Sequence, residues 1–331
     1  MSFAQINFVA TLAHDGEFTQ FYGSEALVSA YNAAVNGDII TLTSGTFTAP
    51  TFDKGITVRG VGIDEAEKTL IAEYIKIQST DSTQVTTFEG LSFDARVYIE
   101  NHPTSPNGQG TLKFIKCKFK DLYNENSSNS DSELEVVNSP IVRLYNVVVT
   151  GQMLFGLPVN TCPNFVSCNS YIQNPVTSSK IKDNPSTFVN CVIEYSTGAV
   201  AYHLSFYNCI FNKLAISSAD NLASTTSCYN CLSNDRGLIS NLLYSSNNHY
   251  IASISDIFKT YTEGYTDGET FELNDEIKTL YSGTDNTEVG MQGGNYPFTT
   301  TVQYPIITKF QPEATTDKDG KLSINLEVDG K

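Results

Sequence analysis

The residues in this chain whose types could do chemistry are seven cysteines, four histidines and an excess of acids, 36 Asp and Glu against 20 Lys and Arg. Cys228 and Cys231 have zinc-ligand spacing, but no second pair of Cys or His with matching spacing accompanies them. No metal site is therefore expected. His14, His102, His203 and His249 are scattered and form no ligand motif. Thr315 to Leu322 is spaced like a calcium loop through Asp317, Asp319 and Gly320. It fails at both ends, where Thr315 replaces the first Asp and Leu326 the closing Glu, and Asp319-Gly320 fits a hairpin turn instead. Lys116, Lys118 and Arg143 are a candidate cationic patch, of the kind that stabilises an enolate beside a uronate carboxyl. The competing reading makes them ordinary solvated positions. Glycoside hydrolysis needs two carboxylates at a set separation, and 36 acids single out no pair. The catalytic and binding residues are thus unassigned from the sequence.

The elements that must position these groups come from a short recurring pattern: an apolar residue, two residues, a small apolar residue or Cys, then a further apolar position. Its copies begin at Phe88, Phe114, Leu144, Phe165, Phe188, Phe206 and Cys228, a mean period of about 23 residues. The third position is Gly90, Asn146, Asn190, Asn208 or Asn230 in five copies. Gly and Asn tolerate the left-handed backbone conformation that turns one strand sharply into the next. Lys116 and Ser167 break the pattern, so a different corner is expected in those two copies. Stacked Asn corners could hydrogen-bond to one another as amide ladders. Cys117, Cys168, Cys191, Cys209 and Cys231 share one position, which predicts a stack of buried thiols rather than disulfides.

The fold class that follows is all-β, a right-handed parallel β-helix with an N-terminal capping helix and a short C-terminal strand tail. The alternative is a β-sandwich. Residues 1–37 supply the N-terminal segment and the capping helix, with Ser24 as its cap, an apolar face of Ala26, Leu27, Ala30, Tyr31 and Ala34, and Gly37 as its stop. Residues 38–298 form the repeats, with 121–135 a polar loop. Residues 299–331 are a strand hairpin or docking tail built from Tyr304–Phe310 and Leu322–Val328.

Within this frame Gly37-Asp38-x-Ile-x-Leu42, Gly45-x-Phe47 and Ile56-Thr-Val-Arg-Gly60 resemble the N-terminal cap and first coils of pectin-lyase-like β-helix proteins. Asp285-Asn-Thr-Glu-Val-Gly-Met-Gln-Gly-Gly294 is similar to the segment closing the last coil in secreted bacterial members. The resemblance covers residues 20–298. It implies a fold more than an activity, because that superfamily holds lyases, hydrolases, adhesins and uncharacterised proteins. The His-Gly and Arg-Ile-Lys motifs of its hydrolases are absent.

Composition narrows the partners. A net charge of −16 repels nucleic acid, and no stretch approaches the length of a membrane span. Ser2-Phe3-Ala4-Gln5 reads like the end of a signal sequence, so a secreted or cell-surface location is expected. There is no Trp to stack on sugar rings, but 18 Tyr leave glycan contact open. The expected function is non-catalytic binding of a polysaccharide or a surface protein. The alternative is a polysaccharide lyase or tailspike-like depolymerase acting on acidic polysaccharide. No cofactor is expected; calcium alone is kept in view, because a lyase would use it.

Overall fold

The computed structural model describes residues 8–63, 68–78, 81–100, 110–125, 141–157, 165–177, 186–195, 204–213, 226–235, 244–302, 306–312 and 324–329. Among them the chain is mostly strand, arranged in two large sheets that are parallel except at the N-terminus, and compatible with a β-helix. The first sheet runs through Glu17–Tyr22, Val9–His14, Ile39–Leu42, Thr57–Arg59, Val85–Glu89, Thr111–Ile115, Ile141–Tyr145, Phe165–Cys168, Ser186–Val189, Leu204–Tyr207, Ser227–Tyr229 and Tyr244–Ser246. The second runs from Gly45–Phe47 through Thr69–Ile71, Ser92–Glu100, Lys118–Glu125, Val148–Val149, Tyr171–Gln173, Val192–Tyr195, Ile210–Lys213 and Leu232–Ser233 to His249–Tyr250. Ile75–Gln78 pairs beside Ser92–Glu100, Met153–Leu157 beside Lys118–Glu125, and Pro175–Thr177 beside Met153–Leu157.

Each repeat passes from the first sheet to the second through one residue of positive φ: Gly90, Lys116, Asn146, Asn169, Asn190, Asn208, Asn230 and Asn247. The corner amide donates to the carbonyl before the next corner, as Asn190 N does to Tyr207 and Asn208 N to Tyr229 (2.9 and 3.1 Å). This row of bonds keeps successive corners in register, and the residue after each corner points into the core.

Two sequence expectations change here. Lys116 adopts the same left-handed corner (φ 52°) instead of a different one, its stem and ammonium held as described below. In the repeat beginning at Phe165 the corner is Asn169, two residues beyond the expected place, because Ser167 rather than Phe165 pairs with Phe188. Four thiols, Cys117, Cys191, Cys209 and Cys231, therefore occupy the buried position after the corner. Cys168 stands before its corner and is only half-buried, and Ser170 takes the inward place.

Rings stack along the interior in the same way. Phe88 lies 5.2 Å from Phe114, Phe93 4.9 Å from Phe119, and Phe188 5.0 Å from Phe206, the two rings of each pair nearly parallel. In-register parallel strands place like residues above like, so one well-packing residue type recurs down the stack.

At the N-terminal end the hairpin Val9–His14/Glu17–Tyr22 turns at Asp15-Gly16, both of positive φ. Beside it the helix Ala26–Ala33 buries Ala26, Leu27, Ala30 and Tyr31 in the core shared with Phe47 and Phe52. Glu25, not Ser24, holds the cap position, and no side chain caps the helix. The Ser24 carbonyl accepts from Thr48 N instead. The chain leaves the helix through Ala34, three residues before Gly37.

Among the described residues parallel pairing ends at His249–Tyr250. Residues 251–298, expected to continue the repeats, contain the helices Ile254–Ile257 and Asp275–Leu280 and then, with 299–302 of the expected tail, run back along the outside of the corner row. The carbonyl of Ser282 accepts from Asn230 Nδ2 (2.9 Å), Gly290 N donates to the Asn208 carbonyl (2.8 Å), and Asn169 Nδ2 donates to the carbonyls of Met291 and Gly293 (2.9 and 2.6 Å). Further along, the Asn146 side-chain nitrogen donates to the Tyr296 carbonyl (3.2 Å), and the Thr301 carbonyl receives Lys116 Nζ. The segment expected to close the last coil thus straps the corners together. Among the described corners the amide ladder forms at the far end, where Asn230 donates to Asn208 (2.9 Å) and Asn247 to Asn230 (2.5 Å).

Under this strap lies a second apolar cluster. Val148, Tyr171, Val192, Ile210 and Leu232, all two residues past a corner, point outward against Ile257, Phe258, Tyr261, Phe271 and Met291. The buried Glu194 carboxylate accepts from the hydroxyls of Tyr171 (3.1 Å) and Tyr261 and from Gly264 N (3.0 Å). Burial, reinforced by that carboxylate, pushes both phenols above the usual tyrosine range. The tail strands Ile306–Pro312 and Ile324–Asp329 pair antiparallel, as a hairpin requires.

Candidate functional site

Beyond the strapped part of the second sheet lies an outer face built by Ile75–Gln78 and the later halves of Ser92–Glu100 and Lys118–Glu125. Alternation dictates it. Ile75, Ile77, Val97, Ile99 and Leu122 are buried in the core, so Lys76, Gln78, Arg96, Tyr98, Glu100, Asp121 and Tyr123 project outward. Register puts Lys76 opposite Tyr98 and Tyr98 opposite Tyr123, while Gln78 faces Glu100 and Arg96 faces Asp121. The segment expected to be a polar loop from residue 121 is a strand through Glu125; 126–135 lie outside the described residues.

Three tyrosines line this face. Tyr74 and Tyr98 have ring centroids 4.6 Å apart, and Tyr98 and Tyr123 5.6 Å. The Arg96 guanidinium lies 4.1 Å over the Tyr123 ring, and its Nη1 donates to the Tyr98 hydroxyl (2.8 Å). The Tyr123 hydroxyl donates to Gln152 Oε1 (2.6 Å), and Gln152 N donates to Asp121 Oδ1 (2.8 Å). Lys76 Nζ meets Glu100 Oε1 at 2.5 Å, a contact that raises the lysine pKa, and Gln78 donates to the other oxygen of Glu100. Arg96 Nε stands 3.8 Å from Asp121. Tyr74 is 49% exposed and Tyr123 only 6%, so the platform is open at one rim and anchored at the other.

Fixed aromatic rings bordered by carboxylates, amides and a guanidinium suit a ligand with both an apolar face and many hydroxyls. Hydrogen-bonded in this way, the side chains are held in place before a ligand arrives.

The candidate patch of Lys116, Lys118 and Arg143 is not formed. Lys116 is buried at a corner, where burial lowers its pKa, although Glu89 acts against that shift. Lys118 Nζ pairs with Asp267 (2.5 Å) and sits 5.0 Å from the Tyr265 ring centroid, beneath the strap segment. Arg143 lies on the other sheet, and its register neighbour is Lys113. Corner geometry separates them, since residues on either side of an αL turn belong to different faces.

Cys228 and Cys231 are each 2% exposed and packed in the core. Among the described residues no group of His, Cys, Asp and Glu could hold a metal, and no disulfide links the six described cysteines. His14 bonds Asp38 (2.8 Å) and His249 rests against Tyr281. His102, His203, Cys162 and Thr315–Leu322 lie outside the described residues. A hollow of about 630 Å³ beside the strap is lined by Glu269, Glu272, Lys278 and Glu288. Its acids are partnered: Glu272 by Lys259 (2.7 Å) and Lys278 (3.4 Å), Glu288 by Lys278 (3.3 Å), and Glu269 by Thr260 and backbone amides.

The tyrosine platform was the feature that motif reading missed. Its signal was the alternation of Ile75-Lys-Ile-Gln78 and Arg96-Val-Tyr-Ile-Glu100, which assigns each polar or aromatic residue to one side. No helix among the described residues is long and apolar enough to cross a membrane. No family model matches the chain, and no curated protein or solved structure matches it either.

Proposed function

We propose that this chain is a right-handed parallel β-helix of the pectin-lyase-like kind, exported to the cell surface or medium, that binds a glycan without cleaving it. The observation that carries the reading is the Tyr74–Tyr98–Tyr123 row with Arg96 laid over it. Of these rings Tyr74 is exposed and Tyr98 partly so, and sugar rings stack on such a face while their hydroxyls reach the bordering acids and amides. The lack of recognised hydrolase motifs in the sequence favours binding over catalysis.

The test is a glycan-array screen run beside a polysaccharide-degradation screen, with and without calcium. Tyr98→Ala should weaken the bound glycan at least tenfold while no new reducing or unsaturated ends appear. Chain cleavage by the purified protein, or a Tyr98→Ala variant that binds as tightly as the parent, would overturn the proposal.

A further inference from the structure

The charge bookkeeping of the tyrosine platform narrows the class of ligand; the inference rests on the glycan-binding reading above. Among the described side chains two cations and two carboxylates face outward there, and they are matched. Lys76 meets Glu100 at 2.5 Å, and Arg96 stands 3.8 Å from Asp121. Arg96 is committed further, to the Tyr98 hydroxyl and to the face of Tyr123. A uronate or sulfate arriving here would have to displace Glu100 or Asp121 from its cation, or lie beside it as a like charge, on a chain of net charge −16. A cationic sugar meets the converse obstacle, because both carboxylates already hold a cation. Hydroxyls have no such difficulty. Carboxylate oxygens accept from them without giving up their ion pairs, and the Gln78 and Gln152 amides border the face beside Glu100 and Tyr123.

We propose that the platform binds an uncharged glycan, with a neutral pyranose face laid on the exposed Tyr74 ring, its edge against Tyr98 and its hydroxyls bonded to Glu100 and Asp121. Such a complex is held by stacking and hydrogen bonds, so salt leaves it nearly unchanged, whereas an ionic complex weakens steeply.

The experiment measures affinity of the full chain by calorimetry against neutral glucans, mannans, xylans and galactans, against polygalacturonate, and against chitosan oligomers. Each is measured at about 0.05 and about 0.5 M salt, where the screening length falls severalfold. At least one neutral polymer should bind with affinity changing less than twofold between the two salts. Tyr98→Ala and Tyr74→Ala should each reduce that binding tenfold or more, and Tyr74 is exposed enough that its truncation spares the core. Lys113→Gln with Arg143→Gln should leave it unaltered, since that pair lies on the other sheet. Preferred, salt-sensitive binding of polygalacturonate or chitosan that depends on Tyr98 would overturn the neutral class while keeping the glycan reading. Absence of binding across all polymers would overturn both.

Discussion

Replacing Asn169 tests whether the corner side chains hold the strap or only shape the backbone. Asn169 is 2% exposed with φ 49°, and its amide donates to the carbonyls of Met291 and Gly293. Met291 O keeps a second donor in Phe298 N, so Gly293 O suffers more from the loss. Each hydrogen bond is worth about 1 kcal/mol, and a buried carbonyl left without a donor costs about that again or more. Forcing alanine into the left-handed region adds roughly 1 kcal/mol. Asn169→Ala should therefore destabilise by about 3–4 kcal/mol, and Asn169→Gly, which keeps the turn and loses only the strap bonds, by about 2–3 kcal/mol. Urea unfolding followed by circular dichroism measures both. Limited proteolysis should find cleavage between residues 282 and 301 sooner in either variant. An Asn169→Gly protein with the parent's urea midpoint and proteolysis rate would refute the reasoning, because the strap bonds would then contribute nothing.

Phe188→Ala removes a fully buried ring stacked on Phe206 and should cost about 3–5 kcal/mol, read as a lower urea midpoint. Stability should also depend on alkali. Burial pushes the Cys117 thiol up to about 12, and Tyr195 is raised by burial as well. A pKa raised on folding contributes stability that is complete below the unfolded thiol value, near 8.5, and is lost as pH climbs through the folded one. The urea midpoint should be level from pH 7 to about 8 and fall between about 9 and 12, at up to roughly 1.4 kcal/mol per pH unit for each such group. A flat profile to pH 11 would contradict it.

The repeat was legible because its grammar is local. Alternation assigns faces, and Asn before a small inward residue marks a corner. The one misframed copy shows the limit of that grammar. Phe165-Val-Ser-Cys168 satisfies the apolar positions of the motif, whereas the frame the chain adopts, two residues on, puts Ser167 and Ser170 in those places and is marked only by the Asn169 corner. A rule giving Asn priority over Phe would have chosen correctly. The strap was illegible for a different reason. Its partners are backbone carbonyls, such as those of Met291, Gly293 and Tyr296, which any sequence provides. Its trace lay in the repeats, where Val192-Ile193 and Ile210-Phe211 place apolar residues on both faces of one strand and so announce cover on the outside. The tyrosine platform was hidden because residues from 121 onward looked like loop, which concealed the third strand that brings Tyr123 beside Tyr98.

A stack of repeats is ordinarily indifferent to its own length, since each unit touches only its neighbours and units can be gained or lost in evolution. Here a single run from Ser282 to Thr301 touches the corners from Asn230 back to Lys116, one after another. It works as a ruler laid against the stack. Adding or removing one repeat between those corners would put every later contact out of step, so the repeat number and the strap length have to change together.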